Sequence, residues 1–146
     1  MLSGIHPILH GELLAALDRL GHGDELVVAD ANFPAYRAGA EVIVTAGLDA
    51  PVVVAAVRTV VPLDDYEGAS TLLMSAEGGE RLPVQRELVA AADAPADRVD
   101  ELERFDFYER AEGARLIVRT GELRPYGNVI LRKGVVTSYR SPGPAR

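Results

Sequence analysis

Leu26-Val27-Val28-Ala29-Asp30, LVVAD, is the stretch that decides how this chain is read. Four apolar residues run without interruption between Glu25 and Asp30, so they do not alternate as a half-exposed strand would. They suit a strand buried on both faces in a sheet covered by helices. Upstream, Leu13, Leu14, Leu17 and Leu20 fall at i, i+1, i+4 and i+7, the stripe of an amphipathic helix. Gly21 follows the last of them, where a helix commonly ends with a left-handed residue. Downstream, Glu41 to Val44 reads as a second short strand. Ala50 to Val61 is almost wholly apolar and rich in valine, which fits helix or strand; its length and Pro51 favour a buried helix.

Further along, Ser70 to Ala76 reads as a strand and Val84 to Ala92 as a helix. Arg98 to Arg110 is expected to be one helix, with Leu102, Phe105 and Tyr108 or Glu109 near one face. Leu116 to Arg119 and Asn128 to Leu131 read as strands joined by a turn containing Gly121, Pro125 and Gly127. Val135 to Tyr139 is expected to add a last short strand, and SPGPAR (141–146) a disordered tail. Helices alternating with apolar strands indicate an α/β fold: a single domain over 1–140 with a central, mainly parallel or mixed sheet flanked by helices. In open sheets of that kind ligands bind beyond the carboxyl ends of strands. That rule directs attention to the loop around Asp30 and the turn near Tyr126.

Composition narrows the function classes. A chain of 146 residues, 48% of them hydrophobic, has enough apolar side chain for one core. Aromatics are only 5%, so that core is built from Val, Leu, Ala and Ile. A formal net charge of −7 repels phosphate backbones and anionic membrane surfaces, so neither nucleic acid nor membrane is expected as a partner. With no cysteine, disulfides, thiol catalysis and cysteine-based zinc sites are excluded, and a reducing cytoplasm fits. The N-terminal MLSGIHPILHGELL lacks a basic, long-apolar secretory signal, and Pro51 to Val57 is too short to span a bilayer. A soluble protein is expected.

Several residues stand out as candidates for chemistry. His22 lies between two glycines in GHGDE, in a loop between helix and strand, and an imidazole can give or take a proton near neutral pH. The plainer reading is a solvent-facing loop histidine, or one capping the preceding helix. Asp30 ends an apolar strand, where a carboxylate either finds partners at the sheet edge or caps the turn that follows. In ERFDFYER (Glu103 to Arg110), Arg104 offers several donors to a polyhydroxylated ligand. The same segment reads as a helix with Phe105 and Tyr108 packed inward. PYGN (Pro125 to Asn128) places a phenol and an amide just before a strand. His6 and His10 have helical spacing but no third ligand, so no metal site is expected. Asp64-Asp65 reads as a solvated turn. No phosphate loop, nucleophile elbow or dinucleotide fingerprint is present in the sequence.

Three segments in order, LGHGDELVVADANFP (Leu20 to Pro34), RFDFYERA (Arg104 to Ala111) and TGELRPYGNVILRKGV (Thr120 to Val135), resemble the RbsD/FucU family of D-ribose pyranases and L-fucose mutarotases. The resemblance runs from Met1 to about Val136, and DANFP, FYER and YGN look like the fucose branch. It implies an RbsD-like fold and a sugar mutarotase that interconverts the α and β anomers of a free monosaccharide, L-fucose first. Ring opening and closure by general acid and base would need neither cofactor nor metal. By the same resemblance His22 matches the proton-transferring histidine, and Asp30, Arg104, Tyr126, Gly127 and Asn128 match positions that contact sugar. Tyr126 is the candidate for the second proton. Family members assemble as pentameric rings, often paired into decamers, with sites at subunit boundaries, so a homo-oligomer is expected. One departure is Tyr36, where fucose-type relatives commonly carry a histidine; it is a candidate specificity residue. A D-ribose pyranase, a non-catalytic sugar-binding module and a structural ring-former remain alternatives.

Overall fold

The computed structural model describes residues 2–138. Its centre is the expected apolar run: β1 (Glu25–Ala29), in which Leu26 to Ala29 are fully buried. Five further strands complete one sheet: β2 (Glu41–Thr45), β3 (Thr71–Met74), β4 (Val99–Leu102), β5 (Leu116–Thr120) and β6 (Val129–Arg132). Their spatial order is β2-β5-β1-β6-β3-β4. β1 pairs in parallel with β5, β5 with β2, and β3 with β4, whereas β6 runs antiparallel to both β1 and β3. The sheet is therefore mixed, with one reversed strand.

Period-two alternation divides the core into two layers. Leu26 and Val28 point to the side covered by α1 (Gly11–Asp18), α2 (Ala50–Arg58) and α3 (Pro83–Ala92). Val27 and Ala29 point to the other side, against Phe33, Phe107 and Ala111. Phe107 and Ala111 belong to α4 (Arg104–Glu112). No helix among the described residues is long and apolar enough to cross a membrane.

β1 lies between β5 and β6, so the segment 121–128 that joins them must cross the carboxyl end of β1. The two strands read from sequence as neighbours across a turn are thus separated by a third. Gly121 makes this crossing possible, since a Cβ there would lie 2.6 Å from the backbone nitrogen of Gly47.

Three expectations are corrected. The stretch 98–110 is not one helix: Val99–Leu102 pairs with β3 as an edge strand, and α4 begins only at Arg104. Glu103 is extended there and its carboxylate accepts from the Phe105 backbone N–H at 2.8 Å, capping the new helix. Val99 and Leu102 fit a helical spacing, but strand pairing overrode it. In consequence Phe107 is buried and Phe105 is 71% exposed, the reverse of the face expected for Phe105. The second correction is at Gly21: α1 stops at Asp18, and Gly23 is the glycine in the left-handed region, at φ +82°. Third, Val135 to Ser138 form no strand; β6 is followed only by a bridge between Lys133 and Leu63. Tyr139 and the expected tail at 141–146 lie outside the described residues.

Candidate functional site

At the carboxyl end of β1, Asp30 is 8% exposed and does both jobs open to it in the sequence. One carboxylate oxygen accepts from the Asn32 backbone N–H at 2.9 Å, fixing the turn after the strand. The other accepts from the Asn128 amide at 2.7 Å. The Asn128 carbonyl oxygen in turn accepts from the Asp30 backbone N–H at 2.9 Å. This reciprocal pair locks the 121–128 segment onto β1. Within that segment Tyr126 sits at φ +62°, a left-handed conformation that a side-chain-bearing residue adopts at a cost. Gly127 follows because a Cβ there would lie 2.7 Å from Cγ of Glu122.

Glu122 holds the segment from inside. Its carboxylate is 2% exposed and accepts from the Arg124 guanidinium at 2.9 and 3.0 Å and from the Arg124 backbone N–H at 3.0 Å. The Arg124 hydrogen bond outweighs burial and holds the Glu122 carboxyl below its ordinary pKa. Arg124 also pairs with Glu87 of α3.

Arg104 opens α4 directly after β4, at the same edge of the sheet, fully solvated. Its Nε donates to the Tyr108 hydroxyl at 3.3 Å, and its charge lies close enough to Tyr126 to interact with it. Tyr36 is 68% exposed near the end of β5, its ring 5.4 Å from the guanidinium carbon of Arg119. Asp30, Arg104, Tyr126, Gly127 and Asn128 therefore share one edge, with Tyr36 at its margin.

His22 does not join them. It precedes β1, and five residues of strand at about 3.3 Å each put roughly 17 Å between the two ends. Here the imidazole Nε2 is 3.1 Å from an oxygen of Asp64, and the ring tilts at 55° against Tyr66 with centroids 5.1 Å apart. Asp64 is only 6% exposed, which corrects its reading as part of a solvated turn. The same oxygen accepts from the Tyr66 backbone N–H at 3.1 Å, and Arg132 Nε lies 2.9 Å from the other oxygen. Burial raises the Asp64 pKa, but the bonds from Tyr66 and His22 and the charges of Arg132 and His22 outweigh it. The carboxyl is held below its ordinary range. Together with Glu25 and Arg110, these side chains line an open cavity of about 530 Å³, within the range of small-ligand sites.

Tyr66 and Arg132 were not singled out in the sequence, and Asp64 was read only as part of a turn. The available signal was Arg132, a lone cation ending the apolar run Val129-Ile130-Leu131, which demands an acidic partner by the argument applied to Asp30. His10 and His6 serve local structure: Nδ1 of His10 accepts from the Leu13 N–H at the start of α1, and that of His6 from the Ile8 N–H. Among the described residues no three His, Asp or Glu side chains gather as a metal site requires.

The chain and its fold are similar to known proteins. The RbsD / FucU transport protein family model matches residues 3–136. An L-fucose mutarotase from Haemophilus influenzae is 41% identical over 140 residues, 92% of this chain and 97% of the relative. The fucose mutarotase from Streptococcus pneumoniae, solved in complex with L-fucose, superposes with a TM-score of 0.84 at 35% identity, covering 93% of this chain and all (100%) of that one. RbsD from Bacillus subtilis, solved with D-ribose, shares the fold at a TM-score of 0.74 and 24% identity, covering 90% of this chain and 97% of that one.

Proposed function

The chain belongs to the RbsD / FucU transport protein family, and from that premise we propose that it is a sugar mutarotase interconverting the anomers of a free monosaccharide, L-fucose first. The observation that carries this reading is the polar carboxyl edge of the sheet. Asp30 and Asn128 are fixed by each other, Arg104 offers free guanidinium donors, and Tyr126 is held in a strained turn beside them. Sugars need such a set of rigid, oriented donors and acceptors.

Anomer exchange requires a proton to leave the anomeric hydroxyl and another to reach the ring oxygen. His22 takes the first. As the C–O ring bond breaks, the anomeric carbon becomes a carbonyl and the Tyr126 phenol supplies the second proton. Rotation of the carbonyl face and reversal of both transfers close the other anomer. The phenol acts here as a hydrogen-bonded acid through its O–H. Such assistance contributes on the order of 10²–10⁴-fold, sufficient for a reaction that proceeds slowly in water.

Since His22 and Tyr126 lie at opposite ends of β1, both can reach one sugar only if His22 comes from a second copy. We therefore propose a homo-oligomer, a pentameric ring or a decamer of two, with each site at a subunit boundary. We propose a cytoplasmic location, which a cysteine-free, acidic chain fits. Magnetisation-exchange NMR on equilibrated L-fucose tests the activity. Exchange between α and β signals that is lost in His22→Ala supports it; exchange confined to the ring forms of D-ribose would make the protein a pyranase. Saturable binding without any exchange would leave a binding module.

A further inference from the structure

One wall of the cavity at the amino end of β1 has no part in the proposed proton transfers. It is the segment 65–69, which carries Tyr66 and Glu67 into the lining. Asp65, Tyr66, Glu67 and Gly68 are all exposed, so apolar burial does not hold them in place. Only at the far end does Ala69 pack against the layer of Val27 and Phe33. Gly68 turns the chain at φ +60°. Among the described residues, the segment forms hydrogen bonds beyond Asp64 with one side chain alone, Arg98.

The Arg98 guanidinium donates through Nη2 to the Asp65 carbonyl oxygen at 2.6 Å and through Nη1 to that of Gly68 at 3.0 Å. One planar fork thus spans the two residues that flank Tyr66 and Glu67. Arg98 is itself fixed, at the end of the short turn Ala96–Arg98 that leads into β4. Its backbone N–H donates to the Pro95 carbonyl at 2.8 Å, and its own carbonyl accepts from the Ser70 N–H at 3.0 Å. The exposed segment is therefore tied to the paired strands β3 and β4.

We propose that Arg98 is a positioning residue for substrate binding: it clamps the segment 65–69 so that Tyr66 stands as the wall against which the apolar C–H face of the sugar packs. This rests on the mutarotase reading for its ligand, but not for the clamp. The Tyr66 ring, 67% exposed and lining the cavity, offers a rigid apolar face at low entropic cost. The wall touches the sugar before, during and after ring opening. His22 is bonded instead to Asp64, which Arg132 of β6 anchors independently of the clamp. Loss of the Arg98 donors should therefore weaken binding without slowing the proton transfers.

Two measurements test this. Arg98→Met keeps an unbranched stem and removes every side-chain donor. In hydrogen exchange followed residue by residue, it should speed the Tyr66 amide by about tenfold while the amides of β1 keep their wild-type rates. An unchanged Tyr66 amide overturns the clamp, and so does a parallel rise in β1, which marks a general loss of stability. In exchange kinetics on L-fucose, Arg98→Met should raise KM by about fivefold or more with kcat within about twofold. In a Tyr66→Ala background the same substitution should change KM by less than about twofold, because the wall it holds is gone. An unchanged KM, an equal rise in both backgrounds, or a fall in kcat instead overturns the positioning role. A wild-type protein that exchanges no sugar would remove the proposed function, while hydrogen exchange would still decide the clamp.

Discussion

The two ends of β1 are built in opposite ways. At the carboxyl end, Asp30 and Asn128 exchange two hydrogen bonds, Glu122 grips Arg124, and glycines at 121 and 127 let backbone approach backbone. At the amino end a single buried carboxylate gathers an imidazole, a guanidinium and a backbone N–H around an open cavity. The first is a rigid frame of oriented donors and acceptors; the second pairs a half-exposed imidazole with a buried carboxylate at a cavity. In the proposed mechanism the sheet thus separates recognition from proton transfer by its own length, and rejoining them falls to the proposed assembly.

The sharpest way to break the comparison is to disable each end in a different copy. His22→Ala and Asp30→Ala should each lose exchange activity by at least about 10²-fold. Unfolding and reassembling a one-to-one mixture should restore about a quarter of the wild-type rate, because that share of boundaries draws both intact residues from different copies. No restoration would mean that the two ends do not serve a common site.

Stability should also distinguish the ends. Asp30→Ala strands the Asn128 amide and the Asn32 N–H, a loss of about 1–3 kcal/mol in chemical denaturation. A third effect is smaller and depends on pH. Glu122 and Asp64 have carboxyl pKa values depressed by folding, so their contribution is present above the ordinary carboxylate range near pH 4. It is lost as pH falls through the lower folded value. The melting temperature of the wild type should therefore drop in acid, and the drop should be shallower in Glu122→Gln. The smallest effect is expected from Tyr36→His, at an exposed position: stability within about 0.5 kcal/mol, with any consequence confined to the relative exchange rates of different sugars.

How much of this was legible depends on how local the cause was. LVVA announced β1 because burial on both faces leaves an unmistakable apolar run. Asp30 and PYGN were visible as polar residues at strand ends, and the carboxyl-end rule brought attention to both before their contact was seen. Val99 to Leu102 were misread because an edge strand, half covered, carries no periodic signature of its own. Asp64 was misread for a related reason: its partners, His22 and Arg132, lie far away in sequence, and an aspartate pair after a proline and a leucine looks like any turn. The separation of His22 from Asp30 followed directly from the strand between them, yet motif matching alone treats both as one site.

The crossing of β1 by the segment 121–128 has a consequence for how the chain reaches its native form. Asp30 and Asn128 are 98 positions apart, and both strands that flank β1 come from the far side of that interval. While the polypeptide is being made, its most apolar early strand must wait, unpaired on both edges, for most of the remaining sequence to emerge. High contact order of this kind slows folding and leaves sticky edges exposed meanwhile. A nascent chain halted before β5 should thus hold on to cellular chaperones, and release from them should coincide with emergence of the last two strands.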